Sequence, residues 1–100
     1  MRIRISGTAH RDILRGRQFY DSLEQGIGHY FSDTIYGDIR SLMNFAGIHP
    51  IRYGYYMMLV RRFPYVIYYE KEDALVTVVA VLDCRRDPEW ISNRLAVFPS

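Results

Sequence analysis

The chain has 100 residues, of which 49% are apolar, and a formal net charge of +2 at pH 7. That length supports one domain, residues 1–100, with one core; the apolar share excludes a disordered chain, and so small a charge excludes bulk electrostatics as the route to a partner. A single cysteine, Cys84, excludes an internal disulfide.

Residues 2–6 alternate charged and apolar side chains, with Ile3 and Ile5 on one face, and predict a short half-buried strand. They contain no signal-type apolar core. The longest apolar run, residues 74–82, is too short for a bilayer span, so a cytoplasmic location with no membrane partner is the expectation. Thr8 is the predicted N-cap of a first helix whose inward stripe is Ala9, Ile13, Gly16, Tyr20, Leu23 and Ile27. Gly16 costs that helix about 1 kcal/mol relative to alanine, which predicts close approach of a neighbour there. Gly26-Ile27-Gly28 breaks the helix. A second stripe follows, Phe31, Ile35, Ile39, Leu42, Met43 and Ala46, closed by Gly47. So short a link between helices predicts an antiparallel helical hairpin.

Residues 48–54 lose periodicity and read as a loop. Residues 55–60 predict a strand, Pro64 a turn, and residues 65–70 a strand rich in aromatic and β-branched side chains. Residues 71–74 form the polar hairpin loop, and the apolar run of residues 75–82 predicts a strand covered on both faces. Asp87-Pro88 carries an N-cap acceptor followed by proline at the first helical position. The helix it opens is expected to turn Trp90, Ile91 and Leu95 inward and to end near Pro99. The expected class is α+β: β-α-α-β-β-β with a short C-terminal helix, the helical hairpin packed on a mostly antiparallel sheet.

The three histidines, His10, His29 and His49, are scattered, and none stands at metal-ligand spacing. No phosphate loop, nucleophile elbow or dinucleotide fingerprint occurs, so neither a metal nor a cofactor is expected. Cys84 has no CxxC partner and reads as a small residue at a strand end. Of the 13 basic residues only Lys71 is lysine, which leaves 12 arginines. Arginine's planar fork suits phosphate and carboxylate, while codon bias accounts for the same enrichment. Tyr53, Tyr55, Tyr56, Tyr65, Tyr68 and Tyr69 are candidates for binding: over residues 65–69 they alternate onto both sheet faces, and those on the helix-free face suit stacking on a partner. Arg61-Arg62 and Arg85-Arg86 stand at strand ends that a hairpin returns to one edge of the sheet. Such an edge is the expected site for an anionic or acidic-peptide partner, against the alternative of solvated charge with weak internal pairing.

The stretches FPYVIYY and VVAVLDCRRDPEWISNRL resemble the C-terminal half of the RelE/ParE toxin superfamily, the plasmid stabilisation proteins. Ala9, Asp12, Phe19-Tyr20, GIG and Phe31 carry the likeness through the N-terminal half. The resemblance implies the toxin of a bacterial type II toxin–antitoxin pair, neutralised by a cognate antitoxin that also supplies the contact with operator DNA. Within that superfamily, RelE-like members cleave messenger RNA on the ribosome and ParE-like members inhibit DNA gyrase. Nucleases of this kind tend to carry an arginine where Val66 or Ile67 stands here, and a late Tyr or His where this chain continues Asp87-Pro88-Glu89-Trp90. The departure favours a ParE-like toxin that binds its target or antitoxin through Arg61, Arg62, Arg85, Arg86 and Trp90. A ribosome-dependent nuclease would draw on Arg61, Arg85, Arg86 and Tyr68, and a basic binding module without toxicity is the third reading.

Overall fold

The computed structural model describes residues 1–97. Strand β1 (Arg2–Ile5) leads into helix α1 (Gly7–Leu23), and α2 (Ile27–Phe45) folds back beside it. The chain then enters the sheet through β2 (Ile51–Arg52), β3 (Tyr55–Leu59), β4 (Tyr65–Glu72) and β5 (Leu75–Asp83), and closes with α3 (Pro88–Ala96). The order across the five-stranded sheet is β1-β5-β4-β3-β2. All pairs are antiparallel except β1 with β5, which is parallel; the helical hairpin carries the chain from β1 at one edge of the sheet to β2 at the other. This is the expected α+β architecture.

Burial on two faces follows from two separate cores. On one face the inner stripes of the hairpin, including Ile13, Phe31, Ile35 and Leu42, pack against Ile67, Tyr69, Val76, Val78 and Val81. On the other, Ile91 and Leu95 of α3 cover Val66, Tyr68, Val79 and Leu82. A register shift between Tyr68 and Tyr69 lets β5 place an extra residue opposite β4, so Val79 and Ala80 both join the α3 side. At Gly16 an added Cβ would lie 2.5 Å from the Phe31 ring, so the missing side chain is what lets α2's phenylalanine pack on α1. The close approach is therefore an aromatic ring.

Several expectations need correction. Ser6, in place of Thr8, caps α1: its Oγ accepts from Ala9 N–H at 3.1 Å, while its own N–H donates to the Val78 carbonyl at 3.0 Å. The chain leaves the sheet at Ser6, so the helix starts there, two residues early. Leu23 and Met43 are exposed; Leu23 stands in the last turn of α1 at the hairpin tip, and neighbouring Leu42 takes the inward position on α2. Within the expected loop of residues 48–54, Ile51 and Arg52 pair with β3 through a tight turn at Tyr53-Gly54, both at positive φ (58° and 85°). The β4–β5 loop is only Asp73-Ala74, because pairing continues to Glu72 and Leu75. Helix α3 ends at Ala96; Pro99 lies outside the described residues.

The parallel partner β1 covers β5 only from Leu75 to Val78. Past that point the edge of β5 is closed by side chains from α1. The buried Asp12 carboxylate accepts from Val81 N–H at 3.1 Å and from Arg94 Nη2 at 2.7 Å. Arg94 belongs to α3, so this one carboxylate ties together a helix from each face and the strand between them. Burial pushes the Asp12 carboxyl above its ordinary value, opposed by the Val81 N–H and then by Arg94.

Candidate functional site

Pairing of Tyr65 with Asp83 brings the β3–β4 turn and the end of β5 to the same end of the sheet. Cys84 N–H donates to the Pro64 carbonyl at 2.8 Å and fixes the two turns to each other. Arg61, Arg62, Arg85 and Arg86 therefore share this end, and all four are exposed. They do not form one four-guanidinium cluster, because each is drawn to a different neighbour.

Arg85 is bound by Asp83, with Nε to Oδ1 at 3.0 Å and Nη2 to Oδ2 at 2.8 Å. The same Oδ1 accepts the Arg85 backbone N–H at 2.8 Å. These contacts, led by the side-chain bond, hold the Asp83 carboxyl below its ordinary value. Arg62 donates to the Tyr30 hydroxyl and lies 5.9 Å from that ring's centre, which joins the sheet end to α2. Arg61 faces Asp38 of α2, whose carboxyl burial raises and Arg61 lowers. Arg86 turns to the α3 side, 4.2 Å above the Trp90 ring. Trp90 was expected inward; it is 38% exposed, because Ile91 and Leu95 already fill the inner face of α3. The outcome is an exposed cation–π pair, Arg86 on Trp90, at the N-terminal turn of α3.

Aromatic side chains back the hairpin side of this end. Phe31 and Phe63 are in edge contact at 5.0 Å, with Tyr20 against both, and Tyr65 packs on Phe31 at 4.8 Å. Burial first, then Tyr20 and Asp83, pushes the Tyr65 hydroxyl up to about 12. Its proton is held throughout the physiological range.

Tyr68 sits on the opposite face, 2% exposed within the α3 core. It borders a small cleft of about 150 Å³ together with Arg52, Tyr53, Cys84 and Arg86. Burial, then Tyr53, raises the Tyr68 hydroxyl above its ordinary value. A tyrosine platform for stacking is thus replaced on this face by packing beneath α3. Tyr53 was one of the six candidate tyrosines, whereas Arg52 was not a candidate; Arg52 lies 5.0 Å from the centre of the Tyr53 ring and both line the cleft. The signal for Arg52 and the short β2 pairing was the Tyr53-Gly54 dipeptide, a weaker turn mark than Asn-Gly because tyrosine seldom takes positive φ.

No histidine hydrogen-bonds into the arginine end: His10 pairs with Tyr36, His29 with Arg17 and His49 with Tyr69. Among the described residues no group of three or more His, Cys, Asp or Glu is placed to hold a metal ion. No described helix is long and apolar enough to cross a membrane.

No family model matches the sequence, and no curated protein matches it. Among solved structures, a chain of the chromosomal ParDE TA system from P. aeruginosa superposes with a TM-score of 0.72 at 14% sequence identity. The match covers 81% of this chain and 92% of that one. The fold is accordingly one found in a chain of a ParDE system, here carried by a sequence of only 14% identity to it.

Proposed function

We propose that this chain is the toxin of a bacterial toxin–antitoxin pair, ParE-like in acting by binding a protein target such as DNA gyrase, and neutralised by a cognate antitoxin. The observation that carries the reading is the likeness in fold to a chain of the ParDE system, over most of both molecules. The chemistry of the arginine end supports binding over cutting. General acid–base catalysis contributes roughly 10²- to 10⁴-fold and needs a titratable group within reach of the reacting atoms. Here Tyr65 holds its proton up to about 12, Tyr68 is buried, and the histidines are engaged elsewhere. The exposed Arg86–Trp90 pair, by contrast, combines two of the three residue types enriched at interface hot spots. Arg61 and Arg62, exposed at the same end of the sheet on the α2 side, add positive charge for an acidic surface on the target or antitoxin, while Arg85 is held by Asp83.

The cleft beneath Arg86 favours a second reading. It gathers two guanidinium groups, Arg52 and Arg86, with Tyr53 and Tyr68, the residue types of a ribosome-dependent messenger-RNA endoribonuclease. The two separate in purified systems. The binding reading expects the protein to inhibit gyrase supercoiling, with at least tenfold loss in an Arg86→Ala/Trp90→Ala variant, and to leave messages intact on translating ribosomes. Message cleavage with gyrase unaffected would replace the first reading by the second.

A further inference from the structure

Cys84 is the only cysteine in the chain, and it is exposed. Alternation at the end of β5 decides where its thiol goes. Leu82 lies beneath α3, Asp83 lies on the hairpin side with Tyr20, and Cys84 returns to the α3 side, where it lines the cleft of about 150 Å³.

Two guanidinium groups line the same cleft, and each lies over an aromatic ring: Arg86 at 4.2 Å from the centre of Trp90, Arg52 at 5.0 Å from that of Tyr53. Stacking uses the face of a guanidinium and leaves its in-plane N–H donors free. Among the described residues neither arginine has a carboxylate within ion-pair distance, and no acidic side chain lines the cleft. Tyr68 adds a third donor. Its side chain is almost wholly buried, yet its hydroxyl has no hydrogen-bond partner among the described residues. No fully enclosed side-chain oxygen there lacks a partner, so this one opens onto the cleft, within the field of Tyr53, Arg52 and Cys84. Burial keeps its proton in place. Three donors without an acceptor thus surround one thiol.

We propose that Cys84 is a thiol-exchange site for anionic low-molecular-weight disulfides, whose carboxylates are taken by Arg52, Arg86 and the Tyr68 hydroxyl. The Cys84 thiolate attacks the nearer sulfur of the incoming disulfide. A bond forms from Sγ, the incoming S–S bond breaks, and the other half leaves as a thiolate that takes up the proton Cys84 released. Cys84 is thereby oxidised to a mixed disulfide and the departing half is reduced to a thiol. A cationic disulfide meets repulsion from both guanidinium groups. The adduct lies against Arg86 and covers the Arg86–Trp90 pair until a thiol reductant removes it. Exchange requires neither toxicity nor nuclease activity, so it goes beyond both functional readings and stands or falls separately from them.

The full reduced chain is treated with oxidised glutathione, whose halves are anionic, or with cystamine, whose halves are cationic, and adducts are followed by intact mass. Each rate is divided by that of the free peptide of residues 80–89, which carries Cys84 and its neighbouring charges without the cleft. The normalised rate with oxidised glutathione is expected to exceed that with cystamine at least tenfold at low salt. The preference should collapse in about 0.5 M salt, where charges are screened over a few ångströms. Arg52→Ala should cut it at least fivefold, and Arg52→Lys should keep most of it. Tyr68→Phe should cut it at least twofold with no fall in melting temperature, because the hydroxyl has no bond within the protein to lose. Adduct formation should shift the emission of Trp90, the single tryptophan, and dithiothreitol should restore it. If Arg52→Ala fails to fold, the salt dependence of the unaltered chain and Tyr68→Phe decide. Equal normalised rates for the two disulfides, a preference indifferent to salt, to Arg52 or to Tyr68, or an adduct that leaves Trp90 emission unchanged would overturn the inference.

Discussion

Replacing Arg94 with methionine tests the junction at Asp12 most sharply. The substitution keeps much of the side chain's bulk on α3 and removes the guanidinium hydrogen-bonded to a carboxylate whose side chain is 5% exposed, leaving only the solvated Arg15 guanidinium 4.0 Å away. Breaking a buried pair in this way typically costs about 3–5 kcal/mol, because the remaining charge is stranded. Protonation of Asp12 sets a ceiling. Its ordinary value is 3.8, so at about 1.36 kcal/mol per pH unit, taking up a proton at pH 7 costs about 4.4 kcal/mol and at pH 5 about 1.6. The loss should therefore reach about 3–4 kcal/mol at pH 7 and shrink to below about 2 at pH 5. The sign follows from linkage: the variant's folded state binds a proton that the unfolded state releases above 3.8, so its stability falls as pH rises. Urea unfolding followed by circular dichroism at the two pH values measures both figures. A loss under about 1 kcal/mol, or one independent of pH, would show that the carboxylate is neither stranded nor buried as described.

Gly16→Ala should destabilise by roughly 1–3 kcal/mol in the same assay despite its helix propensity, since the new methyl collides with the Phe31 ring; a gain in stability would contradict that packing. Truncation after Asp87 removes Ile91 and Leu95, each contributing roughly 2 kcal/mol of burial, and uncovers Tyr68 and Leu82; an unchanged melting curve would mean α3 is not packed. Burial holds the His49 imidazole below its ordinary value of 6.5. Its Nδ1 lies 2.6 Å from the Tyr69 hydroxyl. The stability this neutral ring contributes is therefore present above 6.5 and lost as pH falls through the lower folded value, a slope that His49→Gln should remove from denaturation measured between pH 7 and 5. Arg85→Ala/Arg86→Ala should abolish growth inhibition while leaving the circular dichroism spectrum intact; full activity would place the working surface elsewhere.

The sheet and hairpin were legible because their signals are periodic and local. Stripes at three- and four-residue spacing marked both helices, and Asp87-Pro88 marked the start of α3, where Asp87 Oδ1 accepts from Glu89 N–H at 2.9 Å. The alternation of Tyr65, Ile67 and Tyr69 against Val66 and Tyr68 separated the two sets onto opposite faces, as they are in the structure. What escaped depends on partners distant in the chain. Nothing near Asp12 announces that it will meet Val81 and Arg94, 69 and 82 residues away. Sequence placed the four arginines at one end of the sheet, but their separation rests on which side each adjacent residue leaves a turn. Arg85 folds back on Asp83 while Arg86 passes to the far face and Trp90. The two-residue β2 is too short for any periodic pattern, and with it Arg52 and its place beside Tyr53 in the cleft stayed hidden.

The central claim is that this chain arrests growth by gripping a protein. Inducible expression without an antitoxin, with message integrity and chromosome breakage followed in the same culture, tests it most directly. The account predicts growth arrest with double-strand breaks and an SOS response while messages stay whole. Growth at the normal rate, or arrest with fragmented messages and an intact chromosome, would contradict it.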